Sequence, residues 1–153
     1  MGIRWFIGID PGKTGAVAVL GRDNGELAVH DYEDPGGLAL LKNCGLSGQP
    51  FAMLEKVSAM PGQGVSSSFK FGANFGEWQG ILKALNIPFE FVTPQKWQKG
   101  IFDSMAKGDR KAMSLDMARR LFPSADLRLK KHHGRSDALL IAEYLRRRAA
   151  WRS

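Results

Sequence analysis

Short apolar runs closed by turn residues alternate along this chain with stretches of helical periodicity. Residues 3–9 are mostly apolar with little alternation, which predicts a central strand buried on both faces. Asp10-Pro11-Gly12 ends it with turn chemistry. GAVAVL (15–20) predicts a second strand and ELAVHDY (26–32) a third, joined through Asn24-Gly25, a common two-residue hairpin signal. Asp34-Pro35-Gly36-Gly37 breaks that strand, and Leu38 to Leu41 begin a short helix. PFAMLE (50–55) is a fourth strand, whereas residues 56–67 predict only a mobile loop. Phe71, Phe75, Trp78, Leu82 and Leu85 then fall at spacings of 4, 3, 4 and 3, the apolar stripe of an amphipathic helix. Gly72, Gly76 and Gly80 line a second face of it. Each Gly costs a helix about 1 kcal/mol relative to Ala, so the three imply close contact with another helix, of this chain or of a dimer partner.

PFEFV (88–92) predicts a fifth strand, and 94–103 a short helix opened by Pro94. Residues 109–122 predict a helix that Pro123 stops, and about 136–149 a last helix with Ser136 as its N-cap. A hairpin of strands followed by alternating helices and strands is the pattern of an α/β domain: a five-stranded mixed sheet flanked by helices. No internal repeat or second domain is apparent within residues 1–153.

Composition narrows the class. A hydrophobic content of 44% is that of a globular protein. The single Cys44 excludes an internal disulfide and a Cys-rich zinc site, and suits a reducing cytoplasm. The opening MGIRWFIGID is too short in its apolar part for a secretory signal, and no segment has the length of a membrane span. The net charge of +7 is unevenly placed. Residues 1–92 carry 7 Lys and Arg against 9 Asp and Glu, a net of −2, and residues 93–153 carry 15 against 6, a net of +9. A basic half of this size points to a polyanionic partner, nucleic acid above a merely basic surface.

Three acids stand out against that background. Asp10 ends RWFIGID, Glu55 ends FAMLE, and Asp137 opens DALLIAEYL. Singly, each has an ordinary reading: a turn residue, an edge-strand charge, a carboxylate favoured at a helix N-terminus. Jointly, carboxylates at the ends of buried elements repel one another unless a cation lies between them. If the first and fourth strands are neighbours, Asp10 and Glu55 share the carboxyl-end crevice of the sheet, and the last helix can add Asp137. Hard oxygen ligands of this kind suit Mg²⁺ or Mn²⁺, and two such ions serve phosphodiester hydrolysis. The Gly-Lys-Thr within DPGKTG is not a P-loop, because the required earlier Gly is Ile7.

IGIDPGKTG resembles the first strand of the RuvC-type Holliday junction resolvases, FAMLEKV their second acidic motif, SSFKFGANFG the helix after it, and SDALLIAEYL their final helix. The matches run in order over nearly the whole chain. The resemblance implies a ribonuclease H-like fold, a homodimer, and symmetrical cutting of four-way DNA junctions with Mg²⁺ or Mn²⁺. It makes Asp10, Glu55 and Asp137 metal ligands. Three residues before the final Asp the family carries an acid or a His; Gly134 stands there, and the adjacent His133 or His132 can substitute as ligand or proton carrier, His133 being taken into the site and the choice between the two left open by the sequence. The family's aromatic after Glu-Lys-Val is replaced by Ser58, leaving Met60 or Phe69 to contact DNA, with Lys56 beside Glu55. Lys111 and Lys96 roughly match basic positions that approach the cleaved phosphate, with Lys99 and Lys107 nearby, although a solvated helix face explains each as well. Arg146, Arg147 and Arg148 are either phosphate contacts or a solubilising terminus. The departures leave open a broader nuclease for flaps and forks, or a catalytically silent DNA-binding protein of the same fold.

Overall fold

The computed structural model describes residues 2–23, 25–56, 58, 61–102 and 107–151. Its organising element is β1 (Trp5–Asp10), whose Phe6, Ile7 and Ile9 are buried on alternating sides. β2 (Ala16–Gly21) pairs with it antiparallel and β4 (Pro50–Glu55) parallel, so β1 is the central strand the sequence predicts. β3 (Leu27–Asp31) and β5 (Phe89–Val92) complete a mixed sheet of order β3-β2-β1-β4-β5. Asn24 lies outside the described residues; Gly25 beside it has a φ of +120°, the positive value a turn Gly tolerates.

Alternation along the strands divides the core in two. One face, with Ile7, Ile9, Val17, Val19, Ala52 and Leu54, is covered by α1 (Gly36–Ser47) and α2 (Val65–Ala84). The other, with Phe6, Ala18, Leu20, Met53 and Val92, is covered by α3 (Pro94–Ile101), α4 (Arg110–Leu121) and α5 (His133–Ala150). α5 lies directly over β1. At Gly8 an added Cβ would overlap the backbone of Ala138 and Ala142, so only the absence of a side chain allows this approach.

Several boundaries differ from the sequence expectation. α1 is a full 12-residue helix rather than a short start at Leu38. α2 begins at Val65, inside the stretch expected to be loop, because polar Ser66 to Ser68 form its exposed first turn without an apolar stripe to announce it. Trp78 and Leu82 are buried as expected, with Phe75 and Leu85 packed beside them. Among the described residues the Gly72, Gly76 and Gly80 face meets no other helix: a Cβ at any of them would find nothing within 4 Å. Ser136 is not an N-cap. A 3-10 turn, Lys130–His132, leads into α5, which starts at His133, and the Ser136 hydroxyl donates inside the helix to the His133 carbonyl at 2.8 Å. Among the described residues no helix is long and apolar enough to cross a membrane.

Candidate active site

The parallel register of β1 and β4 sets Ile9 against Leu54, so the next residues, Asp10 and Glu55, end side by side at the carboxyl edge of the sheet. Asp137, in the second turn of α5, comes over that edge because the Gly8 contact seats the helix one residue further on, at Ala138. Three distant segments thus bring their acids together.

Among the described residues each acid has one hydrogen-bond donor. The Gly12 N–H donates to Asp10 Oδ1 at 3.0 Å. The buried Trp97 indole donates from Nε1 to Glu55 Oε2 at 2.5 Å. Ser114 bonds Asp137, yet Asp137 Oδ1 is buried without a partner among the described residues. Burial is the main cause that raises all three acids, and repulsion from Asp10 adds to it at Glu55 and Asp137. Glu55 is pushed up to about 8 by burial and then by Asp10, with Trp97 opposing. Asp137 rises to about 7 by burial and then by Asp10, against Ser114 and Lys111. Asp10 is also raised by burial, while Gly12, His133 and Lys111 pull it back.

Such acids favour either a proton or a cation. Among the described residues no group of three or more His, Cys, Asp or Glu is gathered tightly enough to hold a metal ion unaided. The fit is to an open site: Mg²⁺ takes one or two carboxylates and completes its shell with water and phosphate oxygens. The unpartnered Asp137 oxygen is a hard donor for such an ion.

Of the predicted site residues, His133 and Lys111 also reach the acids: His133 opens α5 and acts on Asp10, and Lys111, in the first turn of α4, acts on both Asp10 and Asp137. His132 turns away. It is buried, accepts the Leu129 N–H on Nδ1 at 3.4 Å, and its charged form is disfavoured by burial. Gly134 carries no side chain for a steric reason, since a Cβ there would overlap the Thr14 carbonyl and Gly15. Lys56 lies at the tip of β4, its Nζ 5.6 Å from the centre of the Phe91 ring. Ser58, Phe69, Lys96, Lys99 and Lys107 are exposed, and Met60 lies outside the described residues. Arg146 and Arg147 are not free for phosphate, because both bond Glu143, and Arg148 pairs with Glu90.

Sequence reasoning missed Trp97 and Ser114, the donors on Glu55 and Asp137. The signal for Ser114 was a lone hydroxyl on the buried face of α4, beside Leu115 and Ala118. Trp97 gave none beyond its place with Ile101 on the buried side of α3.

No family model matches the chain. It is similar to the chloroplastic Holliday junction resolvase MOC1 of Chlamydomonas reinhardtii, with 34% identity over 96 residues, 61% of this chain and 11% of that protein. The chain therefore spans a small fraction of that relative's length. Thermus thermophilus RuvC in complex with a Holliday junction substrate matches with a TM-score of 0.57 and 15% identity, over 95% of this chain and 94% of that one. The yeast mitochondrial Holliday junction resolvase Ydc2 matches with a TM-score of 0.54 and 14% identity, over 97% and 81%. At these identities the structural likeness concerns the fold, and the chain has the ribonuclease H-like fold of RuvC.

Proposed function

We propose that this chain is a RuvC-type, metal-dependent endonuclease that resolves four-way DNA junctions by paired phosphodiester hydrolysis, residues 1–153 acting as one nuclease domain. The observation that carries the reading is the convergence of Asp10, Glu55 and Asp137 on one sheet edge, with a buried, unpartnered oxygen on Asp137. The relatives' names support the substrate: one is called a Holliday junction resolvase, and a RuvC structure holds a Holliday junction.

Asp10, Glu55 and Asp137 would hold Mg²⁺ or Mn²⁺, with His133 as a further ligand or a proton carrier. When bound, the cation would supply charge stabilisation to phosphodiester hydrolysis, whose products would carry 5′-phosphate and 3′-hydroxyl ends. Trp97 and Ser114 fix the directions of Glu55 and Asp137. Lys111 sets a positive charge beside Asp10 and Asp137, where the scissile phosphate would approach. Lys56, Lys96, Lys99 and Lys107 offer contacts to the DNA backbone, and exposed Phe69 offers a ring to an unstacked base. Paired cuts need two sites, so the acting species is a homodimer, and the open Gly72, Gly76 and Gly80 face of α2 is the surface offered to the second copy. The lone, buried Cys44 suits a reducing cytoplasm.

Incubation of the purified protein with a mobile four-way junction and Mg²⁺ or Mn²⁺, followed by sequencing of the nicks, tests the reading. Symmetrical nicks are expected, and Asp10→Asn, Glu55→Gln or Asp137→Asn should abolish them while junction binding persists. An active Asp10→Asn protein would reject the site. Exposed Ser58, where the resembled family has an aromatic, favours a second reading, a broader nuclease for flaps and forks. Equal rates on junction, flap and linear duplex would select it, and no hydrolysis of any branched substrate would leave a silent DNA-binding protein.

A further inference from the structure

Ion pairing sorts the cations of the C-terminal half. Arg135 is bonded twice to Asp31, at 2.7 Å, and Arg146, Arg147 and Arg148 are taken up by Glu143 and Glu90. Those four charges serve the fold. A different balance holds in the groove of about 540 Å³ between α4 and the 3-10 turn that leads into α5.

Both acids of this groove are already occupied. Asp109 caps α4, its Oδ1 accepting the Lys111 N–H at 3.0 Å, and Asp116 lies 3.6 Å from Arg119. Arg119 in turn donates to the carbonyls of Leu127 at 2.8 Å and Arg128 at 3.1 Å, which ties the opposite wall to α4. Lys111 and Lys130 remain, one on each wall, with no ion pair among the described residues. The groove lies beside the candidate active site: Lys111 and His133 line it, and His133 opens the helix, α5, that carries Asp137. A channel with a Lys free of ion pairs on each wall, beside a cluster of acids, suits a chain of phosphates that must reach those acids.

We infer that this groove seats the backbone of the cleaved DNA strand beside the scissile bond, with Lys130 contacting a neighbouring phosphate. The inference rests on the nuclease reading and deepens it by placing the substrate strand. Lys130 contributes charge rather than base contacts, so its effect is independent of sequence.

The test compares Lys130→Gln with Lys42→Gln, an exposed Lys of α1 on the other side of the sheet. Junction binding is followed by fluorescence anisotropy over a salt series without divalent metal, and the native chain is assayed for cleavage in parallel. Lys130→Gln should weaken binding by roughly threefold to tenfold and lower the slope of log affinity against log salt by about one, and Lys42→Gln should change neither. Asp116→Cys supplies a local readout: Cys44 is buried, so the introduced thiol is the accessible one, and it should form a disulfide with a junction carrying a thiol tether on the phosphate next to the cut. A native affinity and slope for Lys130→Gln, or cross-linking no faster than to a tether ten nucleotides away, would overturn the groove assignment while native cleavage stands. Absence of native cleavage would overturn the nuclease reading and with it the assignment of the cleaved strand, whereas the binding and cross-linking arms, which do not require catalysis, report on the groove separately.

Discussion

Trp97 and Glu55 show how one hydrogen bond shapes a site. The indole spends its only donor on Glu55 Oε2 in a buried setting, leaving the other oxygen for a ligand. Trp97→Phe keeps an aromatic ring and removes that donor. Outer contacts of this kind are worth about tenfold to a hundredfold in metal affinity, so the variant should need at least ~10-fold more Mn²⁺ for half-saturation, read by the paramagnetic signal of free Mn²⁺. The raised acids also set a pH dependence. Glu55 keeps its proton in the folded, metal-free protein up to about 8, whereas the unfolded chain releases it near 4.5. Between those values the unfolded state binds fewer protons, so stability falls as pH rises. Urea denaturation in EDTA should show native protein losing stability from pH 5 to 8, and Glu55→Gln should be more stable than native at pH 8, by an amount on the order of a few kcal/mol. A divalent cation should reverse the trend for the native chain, since binding displaces the proton.

At the scale of elements, the decisive contact is α5 against β1. Gly8 is a strand residue with no unusual conformation, and its value lies in what it lacks. Gly8→Ala would drive a methyl into the backbone of Ala138 and Ala142, and the helix that carries Asp137 must then lift from the sheet. The expected cost is about 2 kcal/mol or more, measured by urea denaturation, with loss of metal binding in whatever fraction folds. Gly134 plays the same part at the start of α5 against Thr14 and Gly15. The periodicities of the five strands and of α2 were legible in the sequence because burial on one or two faces writes itself directly into residue order. The start of α5 was not: the 3-10 turn at Lys130–His132 is polar and basic, and Ser136 offers a plausible cap that the structure does not use.

For the whole molecule, the question is where the excess positive charge resides. Sequence counting puts it in residues 93–153, but among the described residues five Arg of that half, Arg128, Arg135, Arg146, Arg147 and Arg148, are paired with Asp31, Asp126, Glu143 and Glu90, two of these acids belonging to the other half. Arg147→Gln should accordingly leave DNA affinity within about twofold, since a committed charge adds little to the external field. The native chain should still lose about a thousandfold in affinity or more between 50 and 200 mM salt if several Lys engage phosphates together. Gel-shift titrations over that range check both expectations.

Residue order by itself determined the mixed α/β sheet, the central place of β1, and the choice of Asp10, Glu55 and Asp137, because apolar runs interrupted by a carboxylate are visible without any coordinates. Only the tertiary structure decided that the three acids meet, that His133 rather than His132 stands with them, and that Trp97 and Ser114 hold two of them. Those relations depend on strand register and on how closely one helix approaches the sheet, and they join segments far apart in the chain, which local pattern does not encode.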